Sequence, residues 1–130
     1  LRATAAGRQV DYKARWFVLA TGGVASGGIA LDSHWEARET ALGLPVHGVP
    51  EPGEPRFEAD YFGEHPFARA GVAVDDGLRP VDGEGARLLD NVLVAGATLA
   101  GAQPWKEKSG DGVSLASGHR AAELIMEESR

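Results

Sequence analysis

Two short apolar runs, each ended by glycine, constrain the fold of this chain more than any other feature. The first is Phe17–Ala20, followed by Thr21–Gly23. The second lies in Asn91–Ala95 and stops at Gly96. Neither run alternates apolar with polar residues, which is typical of a strand that is covered on both faces. We therefore predict an α/β fold in which these two segments form the buried sheet core.

The rest of the sequence predicts a hairpin at Leu1–Ala14 and a loop-rich middle, which we call the cap. We expect three segments. Residues 1–23 carry the hairpin and the first strand, residues 24–83 form the cap, and residues 84–130 carry the second strand, a loop and a helix. The elements expected in the cap are a short helix at His34–Leu42 and strands at Ala70–Val74 and Leu78–Val81, joined by a turn at Asp75–Gly77.

The clearest predicted helix is Gly112–Glu128. Its apolar residues recur at helical spacing and predict a core-facing stripe of Leu115, Gly118, Ala122 and Ile125. Ala121 and Leu124 widen that face. A glycine inside a helix costs about 1 kcal/mol relative to alanine, so we expect Gly118 to permit a close contact with a strand or a ligand. Asp111 or Ser109 is expected to cap the start of the helix.

Charge and cysteine content exclude several classes of protein. The chain of 130 residues has a net charge of −6 and no cysteine. A chain of this charge is not expected to bind nucleic acid by counterion release, and disulfides and thiolate zinc sites are ruled out. The four histidines lack the spacing of metal ligands, so we expect no metal site.

The glycine-ended strands have a chemical interpretation. In open α/β sheets, ligands bind beyond the carboxyl ends of the strands, where glycine lets the backbone approach them closely. The start of the helix near Gly112 favours a negative charge in front of it. Each feature alone also fits an ordinary strand–turn or crossover loop. Together, and in this order, they indicate a site for a nucleotide-like cofactor.

Other candidate residues are less informative. Arg79, Lys106 and Lys108 could meet a phosphate or could be solvated loop cations, and Trp105 could stack on a ring or anchor its loop. Ser114 and Ser117 lack the Gly-x-Ser-x-Gly setting of a nucleophile.

Several short motifs carry a resemblance to a known family. They are Ala20–Gly23 with Ala25–Gly28, Leu78–Pro80, Asn91–Gly96 with Leu99–Gly101, and the helix start Gly110–Gly118. In order and spacing they resemble the flavoproteins that form the B subunits of anaerobic glycerol-3-phosphate dehydrogenases, from about Gln9 to Ile125. More broadly, the sequence is similar to flavoproteins of the fumarate reductase and glutathione reductase type.

The resemblance implies a fold and a set of cofactor contacts. The chain would be the C-terminal part of a flavoprotein domain with two dinucleotide folds. Thr21, Gly22 and Gly23 would pass the adenosine–pyrophosphate side of a flavin. Gly96, Ala97 and Thr98 would approach the pyrophosphate and ribityl chain, and Gly112, Val113 and Ser114 would face the isoalloxazine ring.

The resemblance also implies a function, the oxidation of sn-glycerol 3-phosphate to dihydroxyacetone phosphate with electrons passed to quinone. The cofactor would be FAD or FMN. The partners would be the catalytic A subunit of the same complex, together with its iron–sulfur membrane-anchor subunit. Through these partners the protein would be bound to the membrane from the cytoplasm. Two alternatives stay open: another flavoenzyme of the fumarate reductase type, and a non-catalytic subunit-contact module.

One element of the family pattern is absent. No G-x-G-x-x-G follows a strand near the start of the sequence, because the glycines at 22, 23, 27 and 28 do not have that spacing. We therefore expect a fragment that carries part of a flavin site, has no activity alone and is prone to self-association. No catalytic residue is assigned.

Overall fold

A computed structural model describes the backbone of residues 1–130 and every side chain except that of Trp105, so the expected role of Trp105 lies outside the described residues. The described chain mixes short strands with helices, which is compatible with the predicted α/β fold, and the segment predicted as loop before the last helix contains a short helix of its own. The strands are β1 (Arg2–Ala5), β2 (Arg8–Asp11), β3 (Phe17–Leu19), β4 (Ile29–Leu31), β5 (Ala37–Glu39) and β6 (Val92–Val94). The helices are α1 (Pro104–Glu107) and α2 (Gly110–Glu128), and 3-10 turns occupy Val24–Ser26, Pro66–Arg69 and Gly96–Thr98.

The two predicted core strands are paired, in parallel. In this register Phe17 lies opposite Val92 and Leu19 lies opposite Val94. The predicted hairpin is also confirmed, since β1 and β2 pair in antiparallel fashion and the N–H of Tyr12 donates to the carbonyl of Leu1 at 2.7 Å.

β6 is buried on both of its faces. Leu93 packs against Ala121 and Leu124 of α2. Its two neighbours in the strand belong to a second cluster on the opposite face, which comprises Leu19, Leu44, Val72, Val92 and Val94. The chain therefore places one apolar layer on each side of β6.

β3 is covered less completely than its apolar sequence predicts. Val18 lies opposite Leu93 in the register and so shares its face of the sheet. Helix α2 packs over Leu93, whereas the Val18 side chain stays 46% exposed. The prediction of a strand covered on both faces is thus confirmed for β6 and wrong for β3.

The short helix predicted at His34–Leu42 is wrong, because the chain turns back as a strand instead. The carboxylate of Asp32 accepts hydrogen bonds from the N–H groups of His34 at 2.8 Å and Glu36 at 2.9 Å. A side chain that satisfies these backbone groups locally competes with helix formation. β5 then pairs with β4 in antiparallel fashion.

The C-terminal helix is confirmed, and Ala121, Leu124 and Ile125 of its predicted core face pack in the Leu93 cluster, but Leu115, Gly118 and Ala122 of that face are exposed. The buried side chains of α2 are Ser117, Ala121 and Leu124, whereas Leu115 is 77% exposed. A Cβ added at Gly118 would meet no atom within 4 Å, so the close contact expected between this glycine and a strand is wrong. Contact with Leu93 therefore buries one edge of the predicted apolar face and leaves the other edge exposed. Within the described residues, no helix combines the length and apolar character needed to cross a membrane.

Arg79 is a buried structural residue and not a solvated cation. Its side chain forms an ion pair with Glu128 near the end of α2, and its Nε donates to the carbonyl of Asp90 at 2.8 Å. The guanidinium also lies 5.4 Å from the ring centroid of Trp16. These contacts satisfy the buried charge, which would otherwise be costly, and join the cap to the C-terminal helix.

The turn predicted at Asp75–Gly77 is present, but the strands around it form only isolated bridges. Val74 pairs with Pro80, and Val72 pairs with Leu99. The carboxylate of Asp75 closes the turn by accepting the N–H of Gly77 at 2.9 Å.

Replacing Gly118 by alanine is expected to stabilise the chain by about 0.5–1 kcal/mol, because alanine has a higher helix propensity than glycine at an exposed position inside a helix. Gly28→Ala is the opposing control, since its Cβ would lie 2.0 Å from the carbonyl oxygen of Gly22. That variant is expected to lose about 1–3 kcal/mol. Urea unfolding of both proteins measures the two effects, and a destabilising Gly118→Ala would contradict the exposed position of this residue.

Asp75 is expected to make stability depend on acid pH. Burial acts to raise the pKa of its carboxyl, but two backbone N–H groups and the guanidinium of Arg87 outweigh burial and hold the pKa below its ordinary value. The carboxylate therefore stabilises the fold above the unfolded-state pKa of about 4, and this contribution is lost as the pH falls through the folded-state pKa. Asp75→Asn should reduce the free energy of unfolding at pH 7, and the difference from wild type should shrink below about pH 4. A difference that stays constant across this range would rule out the ionised carboxyl as its source.

Candidate functional site

The two glycine turns lie side by side at one end of the β3–β6 pair. Thr21–Gly23 continues from β3, and Gly96–Thr98 continues from β6. Because the two strands are parallel neighbours, their carboxyl ends meet at the same edge of the sheet. Six of the nine residues predicted to contact a cofactor are thereby brought together.

The side chain of Thr98 fastens one turn to the other. Its hydroxyl accepts the N–H of Gly22 at 3.1 Å and donates to the carbonyl of the same residue at 3.2 Å. Thr98 is fully buried. Its hydroxyl is therefore committed to the protein, and its part in any site is to position the backbone around it.

Gly23 is the point of closest approach between the turns. A Cβ at this position would lie 2.8 Å from the carbonyl oxygen of Ala97, so only glycine fits without a shift of the backbone. Among the described hydrogen bonds, none uses the N–H of Gly23 or the N–H of Ala97.

Helix α2 supplies the third part of the predicted site. The hydroxyl of Ser117 accepts the N–H of Gly96 at 2.8 Å and donates to the carbonyl of Val113 at 2.5 Å. The Ser114 hydroxyl lies 3.6 Å from the position that a Cβ on Gly96 would take. Gly112, Val113 and Ser114 therefore adjoin the turn after β6, and all nine predicted residues lie at one end of the sheet.

The start of α2 differs in detail from the prediction. The helix begins at Gly110, so Asp111 is inside the first turn and is not the N-cap. Ser109 holds the N-cap position but makes no capping bond, because its hydroxyl donates to Glu107 at 2.9 Å. No described acceptor meets the N–H of Asp111 or of Gly112. These N–H groups favour the binding of an anion in front of the helix. The exposed carboxylate of Asp111 would repel such an anion.

Ser117 positions the turn after β6, a role that its place in the sequence does not predict. Its sequence signal is a serine inside a helix, where the hydroxyl commonly bonds to the carbonyl four residues earlier. That signal accounts for the bond to Val113. It gives no indication of the bond to Gly96, which is 21 residues away in sequence.

A cavity of about 420 Å³ lies between the two turns and the cap, and we call it the cap cavity. Gly23 and Ala97 line it on the side of the turns, and Phe57 and Phe67 line it on the side of the cap. The rings of Phe57 and Phe67 are tilted to each other with centroids 5.9 Å apart. Both rings also contact Trp35, at 6.5 Å and 6.2 Å respectively. The aromatic residues of the cap thus face the predicted cofactor turns.

Lys106 lies beside this region but does not face an open site. Its ammonium group forms an ion pair with Glu64, which also pairs with Arg69 at 2.9 Å.

Thr98→Val is expected to destabilise the chain by about 1–3 kcal/mol, because valine matches the shape of threonine but leaves the polar groups of Gly22 without their partner. Thr98→Ser keeps the hydroxyl and should retain most of the stability. The free energy of unfolding in urea measures both variants. Equal losses for valine and serine would show that the methyl group, and not the two hydrogen bonds, holds the turns together.

Comparison with known proteins finds several relatives. No family model matches the chain, and no solved structure matches it. A protein of Halobacterium salinarum, named as the probable B subunit of an anaerobic glycerol-3-phosphate dehydrogenase, is 38% identical over 130 residues. The match covers 94% of this chain and 29% of the relative.

Two bacterial relatives are named as B subunits of the same anaerobic dehydrogenase. The Pectobacterium carotovorum protein is 33% identical over 93% of this chain and 28% of its own length. The Aliivibrio fischeri protein is 31% identical over 89% of this chain and 25% of its own length. The chain thus spans less than a third of these relatives.

Proposed function

Because this chain belongs to the family of the anaerobic glycerol-3-phosphate dehydrogenase B subunits, we propose that it forms part of the flavin site of such a protein. The chain spans about 29% of the length of the Halobacterium salinarum relative. The observation that carries the proposal is the meeting of three backbone segments at one end of the sheet. They are the turn after β3, the turn after β6 and the first turn of α2, and each has N–H groups with no described partner.

The donor set of these segments fits a flavin. Gly23 and Ala97 offer backbone N–H groups close together, which suits the pyrophosphate or phosphate of the cofactor. The first turn of α2 offers two more and adds the positive end of the helix dipole. Such a helix start would stabilise negative charge on the pyrimidine edge of a reduced flavin.

The residues behind these segments would hold them in place. Thr98 fixes Gly22 through its hydroxyl, and Ser117 fixes Gly96. When bound, the flavin supplies the acceptor for the electrons removed from the alcohol, and this chain's contribution is binding, orientation and charge.

We propose that the complete protein oxidises sn-glycerol 3-phosphate to dihydroxyacetone phosphate and passes the electrons to quinone. The names of the relatives mean that they work with other subunits. As partners we propose the catalytic A subunit of the complex together with its iron–sulfur membrane-anchor subunit. The complete protein would then be a cytoplasmic, membrane-associated flavoprotein with two dinucleotide folds. The cofactor would be FAD or FMN.

The outer face of α2 supports a second role, contact with a partner protein or with another part of the complete protein. Leu115 is 77% exposed and Met126 is 60% exposed. Both lie on the side of the helix opposite its buried residues, and a partner that covered this side would remove both apolar side chains from water. This role is compatible with the flavin site at the start of the same helix.

The flavin proposal is tested by the variant Gly112→Ala in the complete protein. A Cβ at Gly112 meets no protein atom within 4 Å, so the substitution has no steric cost to this fold. If the first turn of α2 faces the flavin, the added methyl should weaken flavin binding about tenfold, which corresponds to about 1.4 kcal/mol. The flavin content and its dissociation constant, measured by absorbance after release, give the result.

Gly118→Ala is the matched control, because it makes the same substitution in the same helix away from the site and also meets no atom within 4 Å. It should leave flavin content unchanged. A complete protein that binds no flavin at all would overturn the proposal. Equal flavin affinity in the two variants would remove α2 from the site. The chain of 130 residues alone should not retain flavin through purification.

A further inference from the structure

We propose that the tip of the cap, residues 57–62, is the surface on which another subunit of the complex docks. We call this segment the cap tip. Its chemistry fits a partner protein that presents an apolar groove bordered by lysine or arginine side chains. The inference rests on the proposed function for the existence of a partner subunit, and it adds where on this chain that subunit binds. The cap tip shares no residue with the nine proposed flavin contacts.

The cap tip exposes three aromatic side chains within six residues of sequence. Phe62 is 79% exposed, and Phe57 and Tyr61 are each more than half exposed. The rings of Tyr61 and Phe62 contact each other edge to face, with centroids 5.2 Å apart. A partner that covered these rings would remove them from water, and aromatic residues are enriched in protein–protein interfaces. The three rings are therefore suited to anchor a partner protein.

Hydrogen bonds within the cap hold the cap tip in one arrangement. Nδ1 of His65 accepts the N–H of Glu58 at 3.1 Å, and Nε2 of His65 lies 2.9 Å from the carbonyl oxygen of Tyr61. The carboxylate of Asp60 accepts the N–H of Phe62 at 3.0 Å. A surface that is already ordered loses less conformational entropy on binding than a mobile loop does. The exposed rings are thus presented at little entropic cost.

The charge around the exposed rings determines the kind of partner. Four exposed carboxylates lie in the cap tip or shortly before it, those of Glu51, Glu54, Glu58 and Asp60. Among the described residues, none of the four has an ion-pair partner. The arginine of this segment, Arg56, lies over the ring of Trp35 at 4.7 Å. The negative charge therefore outweighs the positive charge here, and it favours a partner that carries cations.

The same charge argues against other occupants of the cap tip. Four carboxylates would repel the phosphates of a nucleic acid or of an anionic lipid surface. A second copy of the chain would bring the same carboxylates together, and its net charge is also −6. Phe62 is not among the residues that line the cap cavity, so a small ligand in that cavity would leave it uncovered. A protein with cations around an apolar groove satisfies both the rings and the carboxylates.

The variant Phe62→Ser in the complete protein tests the aromatic part of the surface. Its affinity for the purified A subunit of the complex, measured by titration calorimetry, should fall about tenfold or more, as expected for the loss of an aromatic anchor. Tyr12→Ser is the matched control, because Tyr12 is also an exposed aromatic residue but lies just after β2, away from the cap. It should leave the affinity unchanged. Circular dichroism establishes that both variants are folded.

The variant Glu58→Lys tests the charge. No described ion pair or hydrogen bond uses its carboxylate, so reversal of this charge leaves the contacts of the fold in place. The affinity for the A subunit should fall about fivefold or more, because the new cation would face the cations of the partner. Glu84→Lys is the matched control, since Glu84 is an exposed residue of the turn after Asp82. For the unmodified protein, affinity should fall as the salt concentration rises, and Glu58→Lys should make this dependence less steep.

The variant Phe62→Cys distinguishes a separate partner from another part of the same complete protein. A maleimide should label the introduced thiol rapidly in the complete protein alone and slowly once the A subunit is bound, as read by mass spectrometry of the labelled peptide. Slow labelling without the A subunit would show that the protein covers its own cap tip, and the proposal would be wrong.

Flavin content, measured in the same samples, separates this proposal from the flavin site. A complete protein that lacks flavin but binds the A subunit through Phe62 would support the docking surface and overturn the flavin proposal. Equal affinities of Phe62→Ser and Tyr12→Ser for the A subunit in flavin-loaded protein would overturn the docking surface alone. The docking surface is also wrong if the complete protein does not bind the A subunit, or if Phe62→Ser abolishes binding to anionic vesicles or to a second copy instead.

Discussion

The parallel pairing of β3 with β6 is the constraint on which the rest of the structure depends. It is only three residues long on each strand, yet it places the carboxyl ends of both strands at one edge. Two side-chain contacts extend the order beyond the strands. Thr98 fixes the peptide of Gly22, and Ser117 fixes the N–H of Gly96. These hydrogen bonds fix the backbone of the two glycine turns relative to each other and to α2.

Helix α2 is held at both ends, and this determines where its first turn lies. Near its start, Ser117 bonds to the turn after β6. In the middle, Ala121 and Leu124 pack on Leu93. At its far end, Glu128 pairs with the buried guanidinium of Arg79. The first turn of α2 therefore cannot shift along the sheet without breaking the buried contacts behind it, which is what a site built on backbone N–H groups requires.

Much of the candidate site could be predicted from the sequence, because strand ends and glycines are local features. The turn at Gly96 and the helix that follows are examples. The errors fall where a non-local contact overrides local preference. Residues 34–42 tolerate a helix, but Asp32 caps the chain into a turn and β4 offers a strand partner. Gly118 looked suited to a close contact, yet the face that packs on Leu93 lies elsewhere on the helix.

By itself, the sequence determined that this chain has two glycine-ended strands and a terminal helix, and its motifs identified the family, because these depend on residue type and spacing. The tertiary structure decided which edge of the apolar face of α2 is buried, that Arg79 is an internal ion-pair partner, and that the hydroxyl of Thr98 serves the protein. It also decided that the aromatic side chains of the cap meet the two turns around one cavity. Such outcomes depend on which distant groups become neighbours, since a hydroxyl or a charge acquires its role only from the partner that the fold brings within reach.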